Sequence, residues 1–247
     1  MIPKKIHYCW FGGNPLPPLA EKCLASWVKY CPDYEIIRWD ESNYDCKKHP
    51  YMYEAYKQKK FAFVADYARM DIICKHGGIY LDTDVELLKS LDELLDNDFY
   101  IGFESRMHVA SGLGFGAVKN HIIPETILNN YDAISKVKDF SFTPCPRIET
   151  ACLKKLGLVE DIGEIQSLGV GISIYPVRYF CPVNMDKEGQ VEKDSYSIHH
   201  YSSTWVPVHW KIIHFVEKYS KKFFGTRFTE VLRKIKRFFL PPPGEGA

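Results

Sequence analysis

Residues 61–87, FAFVADYARMDIICKHGGIYLDTDVEL, decide the fold. From Phe61 to His76 apolar residues fall nearly all round a helix (Phe61, Phe63, Val64, Ala65, Ala68, Met70, Ile72, Ile73), which predicts a buried helix. Gly77-Gly78 ends it, because glycine tolerates the left-handed conformation of a helix terminus. IYLDTDVEL then reads as a strand. Upstream, KKIHYCWF predicts a first strand closed by the turn Gly12-Gly13-Asn14-Pro15. Residues 17–31 carry Leu19, Cys23, Leu24, Trp27 and Val28 at helical spacing, YEIIRWD predicts a second strand, and Asp40 to Lys48 is polar loop. This β-α-β-α-β order predicts an α/β fold with a mainly parallel central sheet flanked by helices.

Downstream, DFYIGFES and VASGLGFGAV read as strands, and residues 121–135 and 147–157 as helices. GISIYPVRYF has Pro176 marking an edge or bend, and SYSIHHYSSTW is a late strand. Residues 1–205 are expected to form the main domain, 206–240 basic amphipathic helices, and 241–247 a disordered tail.

Composition narrows the function classes. The chain has 247 residues, 46% hydrophobic and 26% charged, with a net charge of +1, so it is no nucleic-acid polycation. Charge is nevertheless segregated. Residues 208–240 hold nine Lys or Arg against two Glu, a net +7, which leaves the rest six units negative. On a helix Phe228, Val231, Leu232, Ile235, Phe238 and Phe239 share one face while Arg233, Lys234, Lys236 and Arg237 lie largely elsewhere, as suits an anionic membrane interface. The eight cysteines form no C-x-x-C pair, which argues against a zinc cluster. MIPKKIHYCWFGG enters strand-like sequence with no apolar stretch of signal-peptide length, so a cytoplasmic protein with reduced thiols is expected.

Two carboxylates, Asp82 and Asp84, stand at the end of an apolar run. Side chains two apart on an extended segment point to one side, so both can converge on a metal ion, a lysine or only water. Oxygen ligands in pairs suit Mg²⁺ or Mn²⁺, and ligands of open α/β sheets bind at the C-terminal ends of the strands. Asp66 and Arg69, three apart, share a face of the buried helix and could hold a polyhydroxylated ligand by charge-assisted hydrogen bonds. His199 and His200 are adjacent, so on a strand at most one reaches a given site. Gly112, Gly114 and Gly116 in SGLGFGAV lack G-x-G-x-x-G spacing, which rejects a dinucleotide fingerprint and leaves close backbone approach as their reading.

IPKKIHYCWFGG, FVADYARMDIICKHGGIYLDTDVELLKSL and SIHHYSSTW, in that order over about residues 1–205, resemble glycosyltransferase family 32. These DXD sugar-binding glycosyltransferases include capsular-polysaccharide transferases and the yeast initiating mannosyltransferase, and are distantly similar to the glucosylating domain of clostridial toxins. The resemblance implies a GT-A type fold, a nucleotide-sugar donor (a UDP-sugar favoured), Mn²⁺ or Mg²⁺, and retention of anomeric configuration. It implies donor contacts from Trp10, Phe11 and Gly12 of the CWFGG motif, with Trp10 stacked on the base. Asp66 and Arg69 would contact the transferred sugar with Tyr80 nearby. Asp82 would face the sugar and a metal-bound water, Asp84 would ligate the metal, and His200 would be a further ligand. Relatives commonly read Ser-Trp where this chain has Thr204-Trp205, so contact with metal or diphosphate falls to Ser203 or Thr204.

These readings converge on a retaining, metal-dependent glycosyltransferase, peripheral on the inner face of the membrane through residues 208–240. Its acceptor would be a growing surface glycan, capsular polysaccharide included, or a polyprenyl-linked glycan, with no nucleic acid as partner. The rivals are a toxin-like transferase that modifies protein and a non-catalytic carbohydrate-binding protein on the same fold.

Overall fold

The computed structural model describes residues 1–202. Met1–Phe140 and Pro144–Tyr201 form one compact unit. This unit is built on β1 (Lys5–Cys9), α1 (Pro18–Tyr30), β2 (Glu35–Trp39), α2 (Pro50–Lys57), α3 (Phe61–His76), β3 (Gly78–Tyr80) and β4 (Val85–Leu87). Then come β5 (Phe99–Ser105), β6 (His108–Val109), β7 (Phe115–Ala117), α4 (Ile122–Ser135) and α5 (Cys145–Lys154). β8 (Gln166–Gly169), β9 (Ile172–Tyr175), α6 (Val177–Phe180) and β10 (Ser197–His199) complete it.

The main sheet runs β2-β1-β3-β7-β5-β9-β8, with β6 paired to β5. β2, β1, β3, β5 and β9 share one direction; β7 and β8 oppose them. The sheet is therefore mainly parallel, and helices cover both faces. Ile6 and Tyr8 of β1 belong to a core with Trp27 of α1, Ile79, Leu81 and Tyr100. On the other face His7 meets the end of α3, its ring 6.1 Å from that of His76. Burial on both faces is what a parallel strand requires, and KIHYC accordingly has no solvent-facing alternation.

α3 is buried at ten of its sixteen residues, Asp66, Arg69 and Asp71 among them. It stops at Gly77, whose φ is +64° and whose N–H donates to the Ile73 carbonyl at 2.8 Å. A Cβ on Gly77 would lie 2.9 Å from Lys119 N, and one on Gly78 2.9 Å from Lys5 O, so the pair is required for space as well as conformation. The helix-to-strand junction is also pinned by His7. Trp39 Nε1 donates to His7 Nδ1 at 3.0 Å, and His7 Nε2 donates to the Gly77 carbonyl at 3.0 Å. Indole N–H only donates, so this pairing needs the neutral imidazole. Burial agrees, lowering the His7 pKa to about 4.

The structure corrects three readings. IYLDTDVEL is two strands, not one: β3 ends at Tyr80 and a turn follows, in which Val85 N–H donates to the Asp82 carbonyl at 3.0 Å. β4 then pairs with β10 in a separate two-stranded sheet. VASGLGFGAV is likewise broken into β6, a 3₁₀ turn over Ser111–Leu113, and β7. α2, where no helix was expected, starts at Pro50, a residue preorganised for the first helical turn.

All eight cysteines are free; seven are buried and Cys74 is half-buried. Burial pushes every one of these thiols above its ordinary pKa, Cys23 and Cys46 to about 12 and Cys181 to about 11. Among the described residues no helix is long and apolar enough to cross a membrane. Ser203, Thr204, Trp205 and the basic segment lie outside the described residues.

Candidate active site

The site forms where α3 passes the C-terminal end of β3. Asp66 and Arg69 stand one helical turn apart, and Arg69 Nη2 lies 3.1 Å from Asp66 Oδ1 and 3.2 Å from Asp82 Oδ1. One guanidinium thus bridges two carboxylates that the sequence separates by sixteen positions. It also donates through Nη1 to Ser111 Oγ at 3.2 Å, and its carbon sits 4.9 Å from the centre of the Tyr80 ring. The Tyr80 hydroxyl donates to Asp82 Oδ1 at 3.0 Å.

Burial sets the electrostatics. It raises the Asp66 carboxyl to about 6, against the opposing pull of Arg69. Asp82 is raised for the same reason, with Arg69 opposing and Asp84 reinforcing. Glu149 of α5, fully buried, rises to about 7. Asp66 and Asp82 touch the Arg69 guanidinium directly and Glu149 is linked to it through Ser111, so acids outnumber this one guanidinium.

The turn that ends β3 brings Asp84 to β10, where His199 Nε2 stands 3.1 Å from Asp84 Oδ1. Ligand atoms of Asp82, Asp84 and His199 all lie within 4.8 Å of one another. Among the described residues His199 Nδ1 is a buried nitrogen with no partner. Burial works to lower the His199 pKa, but the hydrogen bond and charge of Asp84 outweigh it and leave it raised. Two carboxylates and an imidazole in an acid-rich setting fit a hard divalent cation.

His200, expected beside Asp82 and Asp84, instead places Nε2 2.8 Å from Glu86 Oε2, and Glu86 also accepts from Lys22 at 2.8 Å. β10 pairs with β4 with His199 opposite Val85, and the turn before β4 leaves the Asp84 carboxylate beside His199 while Glu86 takes His200. As expected of adjacent residues, only one of the two histidines stands by Asp84, and it is His199 rather than His200.

Trp10, Phe11 and Gly12 follow β1 and lie at the same sheet edge as Asp82. Trp10 is partly buried against the core and its Nε1 donates to the Asn14 carbonyl at 2.7 Å. Phe11 is buried with its ring 6.1 Å from that of Tyr44. Gly12 has φ +96°, and its N–H donates to Glu41 Oε1 at 2.7 Å. Sequence reasoning weighed His199 but gave the ligand role to His200, and it did not find Ser111 or Glu149. The only signal was the glycine run: a Cβ on Gly112 would collide with Asp82 Oδ2, which is the close approach anticipated for these glycines.

The profile of the "Glycosyltransferase sugar-binding region containing DXD motif" matches residues 17–100, which include Asp66, Arg69, Tyr80, Asp82 and Asp84. Inositol phosphoceramide mannosyltransferase 3 of Schizosaccharomyces pombe is 32% identical over 124 residues, 49% of this chain and 34% of that protein. An uncharacterised glycosyltransferase of Acanthamoeba polyphaga mimivirus is 27% identical over 241 residues, 89% of this chain and 90% of that protein. The chain spans about a third of the length of the yeast mannosyltransferase relatives it matches. Among solved structures, PaToxG glycosyltransferase superposes with a TM-score of 0.49 at 18% identity, covering 62% of this chain and 68% of that one. Residues 17–100, about a third of the chain, are thus similar to the sugar-binding region of DXD glycosyltransferases.

Proposed function

We propose that the protein is a metal-dependent, retaining glycosyltransferase that takes a sugar from a nucleotide-sugar donor. The observation that carries this reading is the meeting of two groups of residues at one sheet edge: the Asp66–Arg69–Asp82 bridge and the Asp82/Asp84/His199 cluster. Asp82, Asp84 and His199 would hold Mn²⁺ or Mg²⁺, which when bound supplies positive charge against the leaving diphosphate. Asp66 accepts hydrogen bonds from sugar hydroxyls and Arg69 donates them, which fixes the sugar ring relative to the leaving group. In transfer, the bond from the anomeric carbon to the diphosphate oxygen breaks and a bond to the acceptor oxygen forms. For retention we favour attack from the face the diphosphate leaves, with the acceptor proton passing to the departing phosphate oxygen.

We further propose a lipid-linked or membrane-borne glycan as acceptor and attachment to the inner face of a membrane. The relatives named as an inositol phosphoceramide mannosyltransferase and as mannosyl phosphorylinositol ceramide synthases support the first, and the basic, aromatic residues 208–240 support the second. A UDP-sugar is the favoured donor, by family resemblance, with GDP-mannose beside it because of those relatives.

The test is release of nucleoside diphosphate from a panel of UDP- and GDP-sugars, with Mn²⁺ or EDTA, backed by donor-binding calorimetry. Turnover of one donor that EDTA abolishes supports the reading. Neither turnover nor metal-dependent binding of any donor would sink it and leave a carbohydrate-binding protein. Sedimentation with anionic vesicles, full chain against a chain ending at residue 207, tests attachment; equal sedimentation refutes it.

A further inference from the structure

Glu149 has no solvent exposure, and nothing in the transfer chemistry above uses it. An unpaired buried carboxylate is costly. Its partners are both donors of one residue: Ser111 N–H to Oε2 at 2.9 Å and the Ser111 hydroxyl to Oε1 at 2.5 Å. With Glu149 ionised, the direction of this chain follows from the donors. A guanidinium can only donate, so Ser111 Oγ accepts from Arg69 Nη1, and its own proton goes to Glu149.

Ser111 also opens the 3₁₀ turn whose next residue touches Asp82. The Gly112 carbonyl accepts from Asp82 N–H at 3.3 Å, and the Gly112 Cα leaves no room for a side chain against the Asp82 carboxylate. We propose that Glu149 is a positioning residue: by gripping Ser111 it sets both the Arg69 head group and the Asp82 carboxylate for the donor sugar. This rests on the reading of the site as a donor-sugar site. An ionised carboxylate offers an acceptor to each Ser111 donor. A glutamine in either orientation turns its NH₂ towards one of them.

The test compares wild type, E149Q, S111A and the double variant by crystal structure and by donor turnover. In E149Q the Arg69 head group is expected to shift from Asp82 by about 1 Å, and kcat to fall on the order of tenfold. S111A should behave alike, and the double variant should be no worse than the worse single one, because both changes break one chain. Unmoved Arg69 and Asp82 in the variants, losses that multiply, or losses that merely track the folded fraction would overturn the proposal. If E149Q fails to fold, S111A, which keeps the backbone donor, decides by the same readouts. A wild type that turns over no donor sinks the glycosyltransferase reading instead, and the crystal structures still decide whether Glu149 positions Arg69.

Discussion

Arg69 answers to two carboxylates at once, and that geometry makes substitutions at the site unequal. Arg69→Lys keeps one charge but loses the fork that spans Asp66 and Asp82, so turnover should drop on the order of 100-fold. A lysine variant within a few fold of wild type would mean the guanidinium supplies charge alone. Asp84→Asn removes a charge from the proposed cation site, so Mn²⁺ affinity, read by calorimetry, should weaken on the order of tenfold or more. Unchanged affinity would place the ion elsewhere. Gly112→Ala adds a methyl group directed at the Asp82 carboxylate and should inactivate while melting near wild type; full activity would show that the turn yields. Asp66, Arg69, Asp82 and Asp84 were legible in the sequence because their spacings are local, three along a helix and two across a turn. Ser111, Glu149 and His199 reach the site only through tertiary contact, and no local pattern marks a serine or a glutamate as the partner of an arginine 42 or 80 positions away.

The helix α3 and the strand β1 owe their junction to a histidine that has to stay neutral. His7 is held near 4, below its ordinary 6.5, so the unfolded chain binds the proton first as pH falls. The stability it contributes is therefore full above about pH 6.5 and is lost as pH drops from there towards 4, about 3 kcal/mol over the window. Urea midpoints of wild type and His7→Gln across that range should converge at the acid end; parallel curves would refute the linkage. α3 itself was legible to the residue, since apolar periodicity and a glycine pair define both its nature and its end. IYLDTDVEL was not, because strand-like composition continues through the turn, and only the partners, β7 for one half and β10 for the other, show that the halves belong to different sheets. That break takes Asp82 and Asp84 out of the strand and brings them within reach of His199.

For the molecule as a whole, the α/β class and mainly parallel sheet followed from element order, which alternates strand and helix until β3. The reversed strand β7 between β3 and β5 did not follow, since direction within a sheet is settled by connections that a linear pattern leaves open. Because β7 runs backwards, the residues before it, rather than after it, arrive at the site, and this is how Ser111 and Gly112 reach Arg69 and Asp82. The distribution of sulfur has a different consequence. With seven thiols enclosed and one, Cys74, at the margin, the protein carries its own unfolding meter. An aromatic disulfide reagent should tag Cys74 alone in the native state and the other seven together as the chain opens. Staggered tagging of those seven would reveal that the unit comes apart in pieces, and the order of tagging would name the piece that leaves first.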